Sequence, residues 1–219
     1  MIIYTVEKGR YYTVSDSIKR HPNGKRSCYI NITNRCTCDC TFCLRTKKKM
    51  AKTSSLWLKR EPSWEEIKHE LDHLPWSLVS EIVCCGFGEP TMRLDIVISI
   101  FQYVKSNHPN IHTRLNTNGL SDLYYQRSTA EDFYGNILDT ISISLNASNA
   151  DKYVELTRSR FGIQSYDHML DFAKSCKTVV KEVVMTIVDA TLDEEEVAKC
   201  HQVCSCHGLF LRIRPYEEN

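Results

Sequence analysis

The sequence predicts an α/β fold built on parallel strands, and three observations support this class. Six short, apolar, β-branched runs alternate with five stretches of helical character along a chain of 219 residues. Connections of this length between successive strands favour parallel pairing through right-handed crossovers. Functional-looking polar residues follow each predicted strand, at the edge where parallel α/β folds place their active sites.

The predicted strands are short and apolar, as strands buried on both faces are. They span residues 28–32, 81–85, 113–115, 140–145, 183–188 and 209–213. Two earlier runs, residues 2–6 and 11–14 on either side of Lys8-Gly9, predict an N-terminal β-hairpin. Six strand-helix units do not make a full eight-stranded barrel. The pattern therefore allows an open doubly wound sheet or a partial barrel.

Helical or partly helical character lies between these strands. The segments are residues 63–74, 94–106, a weaker 129–138, 150–177 with a break near Gly162, and 194–207. Ser63 followed by Glu66 is a capping-box pattern that marks a helix start. Gly208 stands where the last helix is expected to stop.

Composition limits the class of protein. A hydrophobic content of 42% in 219 residues predicts one domain, 1–219, with residues 1–26 as an extension and 27–219 as the main unit. The formal net charge of +1 gives no general attraction to nucleic acid or an anionic membrane. No apolar run approaches the roughly 18 residues needed to span a bilayer. No leader pattern opens the chain, so a cytoplasmic location is expected.

Eleven cysteines are many for this length, and their odd number and uneven spacing favour metal ligation over a disulfide framework. Cys36, Cys40 and Cys43 lie in one eight-residue loop directly after the first predicted strand of the main unit. Such a loop can wrap a cuboidal iron–sulfur cluster, and three thiolates leave one iron open to a chelating substrate. A tetrahedral zinc site that also uses Cys38 is the alternative.

The spacing Cys36-x3-Cys40-x2-Cys43, with Phe42 before the last cysteine, resembles the signature of the radical S-adenosylmethionine (radical SAM) superfamily. The resemblance implies a partial (βα)6 TIM-like barrel with parallel strands, preceded by the hairpin. It also implies a 4Fe-4S cluster on these three cysteines, and S-adenosylmethionine (SAM) on the open iron. The implied reaction cleaves SAM reductively to a 5′-deoxyadenosyl radical that abstracts hydrogen from a substrate. A flavodoxin or ferredoxin is expected to supply the electron.

A second motif, Gly86-Phe87-Gly88-Glu89-Pro90, looks like the Gly-Gly-Glu-Pro element with which this superfamily supports the methionine amino group. Phe87 replaces the first glycine, so this part of the motif is a variant. The resemblance also implies SAM contacts from Asn116, Asn118, Ser144, Asn146, Arg158 and Arg214. Viewed in isolation, residues 86–90 and 116–119 are ordinary turns. Arg212 and Arg214 share one strand face, where they are either solvated or hold an anionic substrate or the adenosine.

A narrower resemblance, to the TatD-associated radical SAM proteins, rests on residues 34–37, 41–45, 86–93, 142–147 and 212–216. It implies a TatD-type nuclease as a partner and leaves the reaction open. A small-molecule or nucleotide-like substrate is expected, because no RNA-binding domain or long cysteine-rich extension is appended. Modification of RNA or protein is one alternative. A non-catalytic zinc or iron–sulfur module that partners the nuclease is another.

Three further features have structural and functional interpretations. Cys200, Cys204 and Cys206 are interpreted as helix packing or surface thiols, with an auxiliary metal as the alternative. Cys84 and Cys85 are expected to pack the second predicted strand of the main unit, with a catalytic thiol as the alternative. The basic run 45–52 is expected to be a solvated loop, unless a phosphate-bearing substrate uses it.

Overall fold

Eight strands form one continuous sheet in the computed structural model of the protein, which describes residues 1–48, 55–189 and 191–216. The strands are β1 (Ile3–Glu7), β2 (Arg10–Tyr12), β3 (Arg26–Ile30), β4 (Val79–Cys84), β5 (His112–Thr117), β6 (Thr140–Ser144), β7 (Glu182–Val188) and β8 (Phe210–Arg214). Their order across the sheet is β2-β1-β3-β4-β5-β6-β7-β8. β1 pairs antiparallel with β2 and β3, whereas β3 to β8 are parallel throughout.

The order of the parallel strands decides between the two architectures that the sequence allowed. From β3 to β8, each strand lies beside its predecessor in the chain, so every crossover moves the same way around the sheet. A doubly wound sheet would reverse direction at a switch point. The structure therefore confirms an α/β fold of the partial-barrel type, preceded by an N-terminal antiparallel hairpin.

The described residues include eight α-helices. They are α1 (Val14–Arg20), α2 (Leu44–Lys47), α3 (Trp64–Asp72), α4 (Leu94–Asn107), α5 (Ser121–Tyr125), α6 (Ala150–Thr157), α7 (Ser165–Cys176) and α8 (Glu194–Cys206). The predicted capping box opens α3, because Glu66 N–H bonds to Ser63 Oγ at 3.3 Å while Ser63 N–H bonds to the Glu66 carboxylate at 2.9 Å. Gly208 adopts a φ of +61° just beyond α8, as the predicted stop requires.

Two local predictions were wrong. The second strand of the hairpin was expected to reach Val14, but it ends at Tyr12, and Thr13 instead begins α1. Thr13 Oγ1 accepts a hydrogen bond from the Asp16 N–H at 3.1 Å, which is N-cap geometry. The weak helix predicted for 129–138 is only a 3₁₀ turn, Ala130–Phe133, because Gly135 and Asn136 both take positive φ angles.

The predicted break near Gly162 is confirmed, since α6 and α7 are separate helices and Gly162 has a φ of +67°. The six predicted parallel strands also agree with the observed bounds to within two residues at each end. Boundaries of this kind are the least exact part of a pattern-based prediction.

The two faces of the parallel sheet differ, contrary to the expectation of burial on both. Along β5, Thr113, Leu115 and Thr117 are buried, whereas Arg114 and Asn116 on the other face are half-exposed. The buried face packs against the helices in the main hydrophobic core. The opposite face carries polar side chains into a cavity, so the barrel interior is available for a ligand.

The hairpin forms part of the cavity wall. Tyr4 of β1 stacks on Tyr29 of β3, with ring centroids 5.4 Å apart, and both rings line the cavity. Tyr4 and Tyr11 belong to a second hydrophobic cluster with Leu56 and Phe87. β1 therefore extends the sheet edge and also shapes the interior.

Candidate functional site

A cavity of about 510 Å³ lies at the carboxyl ends of the parallel strands. The active sites of parallel barrels occupy this rim, because the loops that follow the strands converge there. The cavity brings together most of the predicted site residues, namely Cys36, Cys40, Cys43, Gly86, Phe87, Gly88, Glu89, Asn116, Asn118, Ser144 and Arg214.

The loop after β3 presents the three cysteines of the motif. Cys36, Cys40 and Cys43 are half-buried and line the cavity. Cys38 is only 5% exposed and packs into the main core, so it differs from the other three. This division of the four cysteines matches the sequence-based choice of the three ligands.

Backbone hydrogen bonds attach this loop to the end of α6. Asp39 N–H bonds to Thr157 O at 3.0 Å, and Thr41 N–H bonds to Leu156 O at 2.9 Å. A third bond, from Arg160 N–H to Thr37 O, measures 3.0 Å. These three bonds hold the cysteine loop against the protein without using any cysteine side chain.

The thiols have the chemistry of metal ligands that await a cation. Contact with Cys38, burial and the nearby Glu89 carboxylate all raise the pKa of Cys36. Burial also raises the pKa of Cys43. A thiolate is the ligand form, and bound iron supplies the positive charge that favours it. Three thiols on one cavity wall therefore fit the donor set of a 4Fe-4S cluster that keeps one iron open.

The glycine-rich turn after β4 packs directly on the loops after β3. A Cβ at Gly88 would lie 2.4 Å from Thr33 O and 2.6 Å from Arg35 O. A Cβ at Gly86 would lie 2.3 Å from Asn31 Oδ1, and Gly86 also takes a φ of +147°. Only glycine permits so close an approach, so both glycines are needed to hold the turn beside the cysteine loop.

Phe87, which stands where the superfamily has a glycine, is 7% exposed and forms an edge-on contact with Trp57 at 5.2 Å between ring centroids. Pro90 is buried and opens a short 3₁₀ turn, Pro90–Arg93. Phe87 therefore adds an apolar surface to the cavity wall, beside the backbone of the two glycines.

Glu89 is a buried carboxylate with a full set of local donors. Its Oε1 accepts from Thr91 N–H at 3.0 Å, Thr91 Oγ1 at 2.8 Å and Thr117 Oγ1 at 2.7 Å. Its Oε2 accepts from the Asn118 N–H at 2.7 Å. Burial raises the pKa of Glu89, although each of these hydrogen bonds acts in the opposite direction. The carboxylate thus links the turn after β4 to the end of β5.

Asn118 continues this link to the cysteine loop. Its side-chain Nδ2 donates to Thr37 Oγ1 at 2.9 Å and lies 3.6 Å from Cys38 Sγ. Asn116, two residues earlier, lies 3.5 Å from Cys85 Sγ through its Nδ2. The Asn116 Oδ1 atom is buried and has no hydrogen-bond partner among residues 1–48, 55–189 and 191–216.

Two predicted residues are not in the cavity lining. Asn146 is 4% exposed with a left-handed φ of 60°, just beyond β6. The Arg158 side chain is 62% exposed and lies 4.0 Å from the Asp39 carboxylate. The structure therefore brings Ser144 to the cavity and leaves Asn146 and Arg158 outside its wall.

Sequence reasoning did not single out Arg114 or Tyr29, although both line the cavity beside Arg212. Arg114 makes a two-pronged salt bridge with Glu81, at 2.9 and 3.0 Å. The signal was present in β5, where Arg114 and Asn116 alternate with buried residues. Alternation shows that two residues share a face, but it does not show that the face encloses a cavity.

The other cysteines are distributed between the core and the surface. Cys200 and Cys204 are buried in the main core, and Cys206 is exposed. Cys84 is buried, whereas Cys85 lines the cavity. Within the described ranges, no three His, Cys, Asp or Glu side chains form a ready-made site for a single metal ion.

Two other sequence features remain to be located. Residues 49–52 of the basic run lie outside the described residues. Among the described helices, none is long and apolar enough to cross a membrane.

Comparison with known protein families identifies one match over most of the chain. A family model described as the Radical SAM superfamily matches residues 30–202. A protein of Methanocaldococcus jannaschii, designated a glycyl-radical enzyme activating enzyme, is 27% identical over 180 residues, which cover 80% of this chain and 68% of the relative. The GTP 3′,8-cyclase of Lactiplantibacillus plantarum is 27% identical over 194 residues, covering 85% of this chain and 53% of the relative.

Comparison with solved structures gives the same fold. Streptococcus suis SuiB bound to S-adenosylmethionine superposes with a TM-score of 0.69 at 19% identity, over 93% of this chain and 44% of SuiB. SuiB bound to its precursor peptide SuiA gives a TM-score of 0.68 at 18% identity, over 92% of this chain and 42% of SuiB. This chain therefore spans about two thirds or half of its curated relatives and less than half of SuiB.

Proposed function

The chain belongs to the radical SAM superfamily, and from that premise we propose that it is an enzyme whose cavity holds a 4Fe-4S cluster and SAM. Cys36, Cys40 and Cys43 hold the cluster, and the single observation that carries this assignment is that all three thiols line one cavity while Cys38 is buried. When bound, the cluster and SAM supply a one-electron cleavage that yields a 5′-deoxyadenosyl radical able to abstract hydrogen from a substrate.

The chain's own residues position SAM. The backbone of Gly86, Phe87 and Gly88 approaches the cysteine loop closely enough to offer its carbonyl groups to an amino group. Glu89 holds this turn against Asn118. The SAM-contacting set is completed by Pro90, Asn116, Ser144 and Arg214. Asn146 and Arg158 are left out of this set, because neither lines the cavity.

The substrate is a small, nucleotide-like molecule. The relative in Lactiplantibacillus plantarum carries the name GTP 3′,8-cyclase, and the cavity wall of this chain contains three arginines, which suits a phosphate-bearing ligand. The alternative substrate is a peptide or RNA, and the similarity to SuiB with its precursor peptide favours the peptide. The sequence similarity at 27% favours the small molecule over the fold similarity at 18%.

The remaining assignments concern the protein's context. The TatD-associated group of this superfamily, with a TatD-type nuclease as a partner, is assigned from motif resemblance alone. An external flavodoxin or ferredoxin supplies the electron, and the eleven free thiols suit a reducing, cytoplasmic location. Residues 1–219 act as one domain, since β1 of the hairpin pairs directly with β3 of the barrel.

The decisive experiment compares two cysteine variants from the same loop. The protein is purified without oxygen, reconstituted with iron and sulfide, and mixed with SAM and dithionite. Wild type and Cys38→Ala are expected to bind iron and form 5′-deoxyadenosine, whereas Cys40→Ala is expected to lose both. Absence of 5′-deoxyadenosine from iron-loaded wild type, with no effect of SAM on the spectrum of the reduced cluster, would contradict the enzyme assignment. A colourless, zinc-loaded protein would favour the non-catalytic module.

A further inference from the structure

Three arginine side chains from two separated strands line the cavity. Arg114 lies on β5, and Arg212 and Arg214 lie on β8, two strands further along than the β6 neighbour of β5. Curvature of the sheet brings the two strands toward each other across the interior. Burial lowers the pKa of Arg212, and the positive charges of Arg114 and Arg214 lower it further. The three guanidinium groups are therefore close enough to repel one another.

The nearby acidic groups do not balance this charge. Glu81 is occupied by the two-pronged contact with Arg114. Glu182 is on an exposed position of β7, where its carboxylate accepts from Thr140 Oγ1 at 2.8 Å. No salt bridge to Arg212 or Arg214 is formed by any other residue in the described ranges. Two of the three guanidinium groups therefore have no carboxylate of their own.

The hydrogen bonds of these arginines are also incomplete. Arg212 Nη2 donates to Ser142 Oγ at 3.0 Å, which satisfies one donor with a neutral oxygen. The Nε atoms of Arg212 and Arg214 are buried and find no partner among the described residues. A buried charged donor without a partner is unfavourable, so a site with two of them is suited to an anion. A carboxylate or phosphate matches the fork geometry of a guanidinium.

The depth of Arg212 separates it from the rim. It precedes Arg214 by two residues on the same face of β8, which corresponds to about 6–7 Å along the strand toward the amino ends. The cysteine loop lies at the carboxyl ends of the strands, on the other side of Arg214. A ligand that reaches from Arg212 toward the cysteines would therefore cross the middle of the cavity.

We propose that Arg212, with Arg114 and Arg214 beside it, forms an anion subsite that holds a carboxylate or phosphate group of the substrate at the deep end of the cavity. This inference rests on the proposed function, because it treats the cysteine rim as the place of the cluster and SAM. It adds the chemical class of the substrate, which is a small anionic molecule.

The test measures binding of simple anions to the reconstituted, unreduced protein. Inorganic phosphate and succinate are titrated separately in an isothermal calorimeter, with SAM already saturating, so that any site for the SAM carboxylate is filled. Wild type is expected to bind one of the two probes saturably, and the preferred probe identifies the anionic group. Arg212→Gln is expected to weaken this binding by about tenfold or more, since hydrogen bonds to charged groups are among the strong ones.

Three variants separate an anion site from a structural arginine. Arg127→Gln, a surface change at a residue 51% exposed, is expected to bind the probe like wild type. Ser142→Ala removes the neutral partner of Arg212 and is expected to bind nearly as wild type does. Arg212→Lys keeps the charge and is expected to recover part of the affinity. Circular dichroism of each variant identifies any that fail to fold.

The inference is overturned if wild type binds neither probe, if the probes bind only when SAM is absent, or if Ser142→Ala loses as much affinity as Arg212→Gln. Formation of 5′-deoxyadenosine by wild type is measured on the same preparation. Its absence would contradict the proposed function and leave the anion subsite standing. Probe binding and SAM cleavage therefore fail separately.

Discussion

The backbone N–H of Asn118 donates a 2.7 Å hydrogen bond to the carboxylate of Glu89. This bond connects two rim turns that follow neighbouring strands, β4 and β5. The Asn118 side chain then reaches Thr37 in the cysteine loop at 2.9 Å. One buried carboxylate thus sets the relative positions of three functional loops.

Replacement of Glu89 by glutamine is expected to lower the free energy of unfolding by about 1–3 kcal/mol, because the new amide cannot accept from both Thr91 and Asn118. Urea denaturation of the metal-free protein measures the change. Glu131→Gln, at an exposed position, is the matched control and is expected to have little effect. Equal stability of Glu89→Gln and wild type would contradict the role of Glu89 as a link between loops.

Substitution of Gly88 by alanine is expected to cost about 1–3 kcal/mol of stability and to reduce the iron bound after reconstitution. The added Cβ would lie 2.4 Å from Thr33 O, so the turn must move away from the cysteine loop. Gly24→Ala is the control, since its Cβ would meet His21 at an ordinary 3.5 Å. Iron content per chain and thermal denaturation are measured for both variants. Normal iron loading in Gly88→Ala would show that the close approach is dispensable.

Asp139 gives a pH-dependent prediction far from the site. Burial alone would raise its pKa, but hydrogen bonds from Lys105 at 2.5 Å and Lys181 at 2.6 Å outweigh burial and hold the pKa well below its usual value. A lowered pKa adds stability above the unfolded pKa of about 3.9, and this stability is lost as the pH falls through the folded value.

Asp139→Asn is therefore expected to lose about 1–3 kcal/mol at neutral pH, and to show a smaller decline in stability than wild type between about pH 5 and pH 2. Urea denaturation across this range checks both the size and the slope. Asp171→Asn, at a side chain 69% exposed, should retain the wild-type profile. Parallel curves for wild type and Asp139→Asn would contradict the assigned pKa direction.

The hydroxyl of Tyr153 is buried and has no hydrogen-bond partner within the described ranges. Tyr153→Phe is therefore expected to raise the stability of the metal-free protein by about 1 kcal/mol, since it removes an unsatisfied polar group and keeps the ring. Tyr103→Phe is the opposite case, because it removes a 2.5 Å hydrogen bond to Asp72 and should lower stability slightly. Thermal melting of both variants compares the two signs, and destabilisation by Tyr153→Phe would refute the prediction.

Several features of the site could be predicted from the sequence because they depend on neighbouring residues. The spacing of Cys36, Cys40 and Cys43 limits how far apart three thiols of one loop can lie. The alternation of apolar runs with helical segments led to parallel strands, and the predicted bounds agree with the observed ones to within two residues. The capping pattern at Ser63 correctly located the start of α3. Where local hydrogen bonds competed, as at Thr13, the pattern of alternation was misleading.

The sequence by itself determined the family of the protein, the class of its fold and the loop that carries its cysteines, because these follow from short spacings and periodicity. Only the tertiary structure decided that every crossover turns the same way, that Arg158 lies outside the cavity wall, and that Arg114 faces Arg212 across it. The physical reason is that strand order and curvature arise from packing of the whole sheet. Residues distant in the chain become neighbours only when that sheet curls around its polar face.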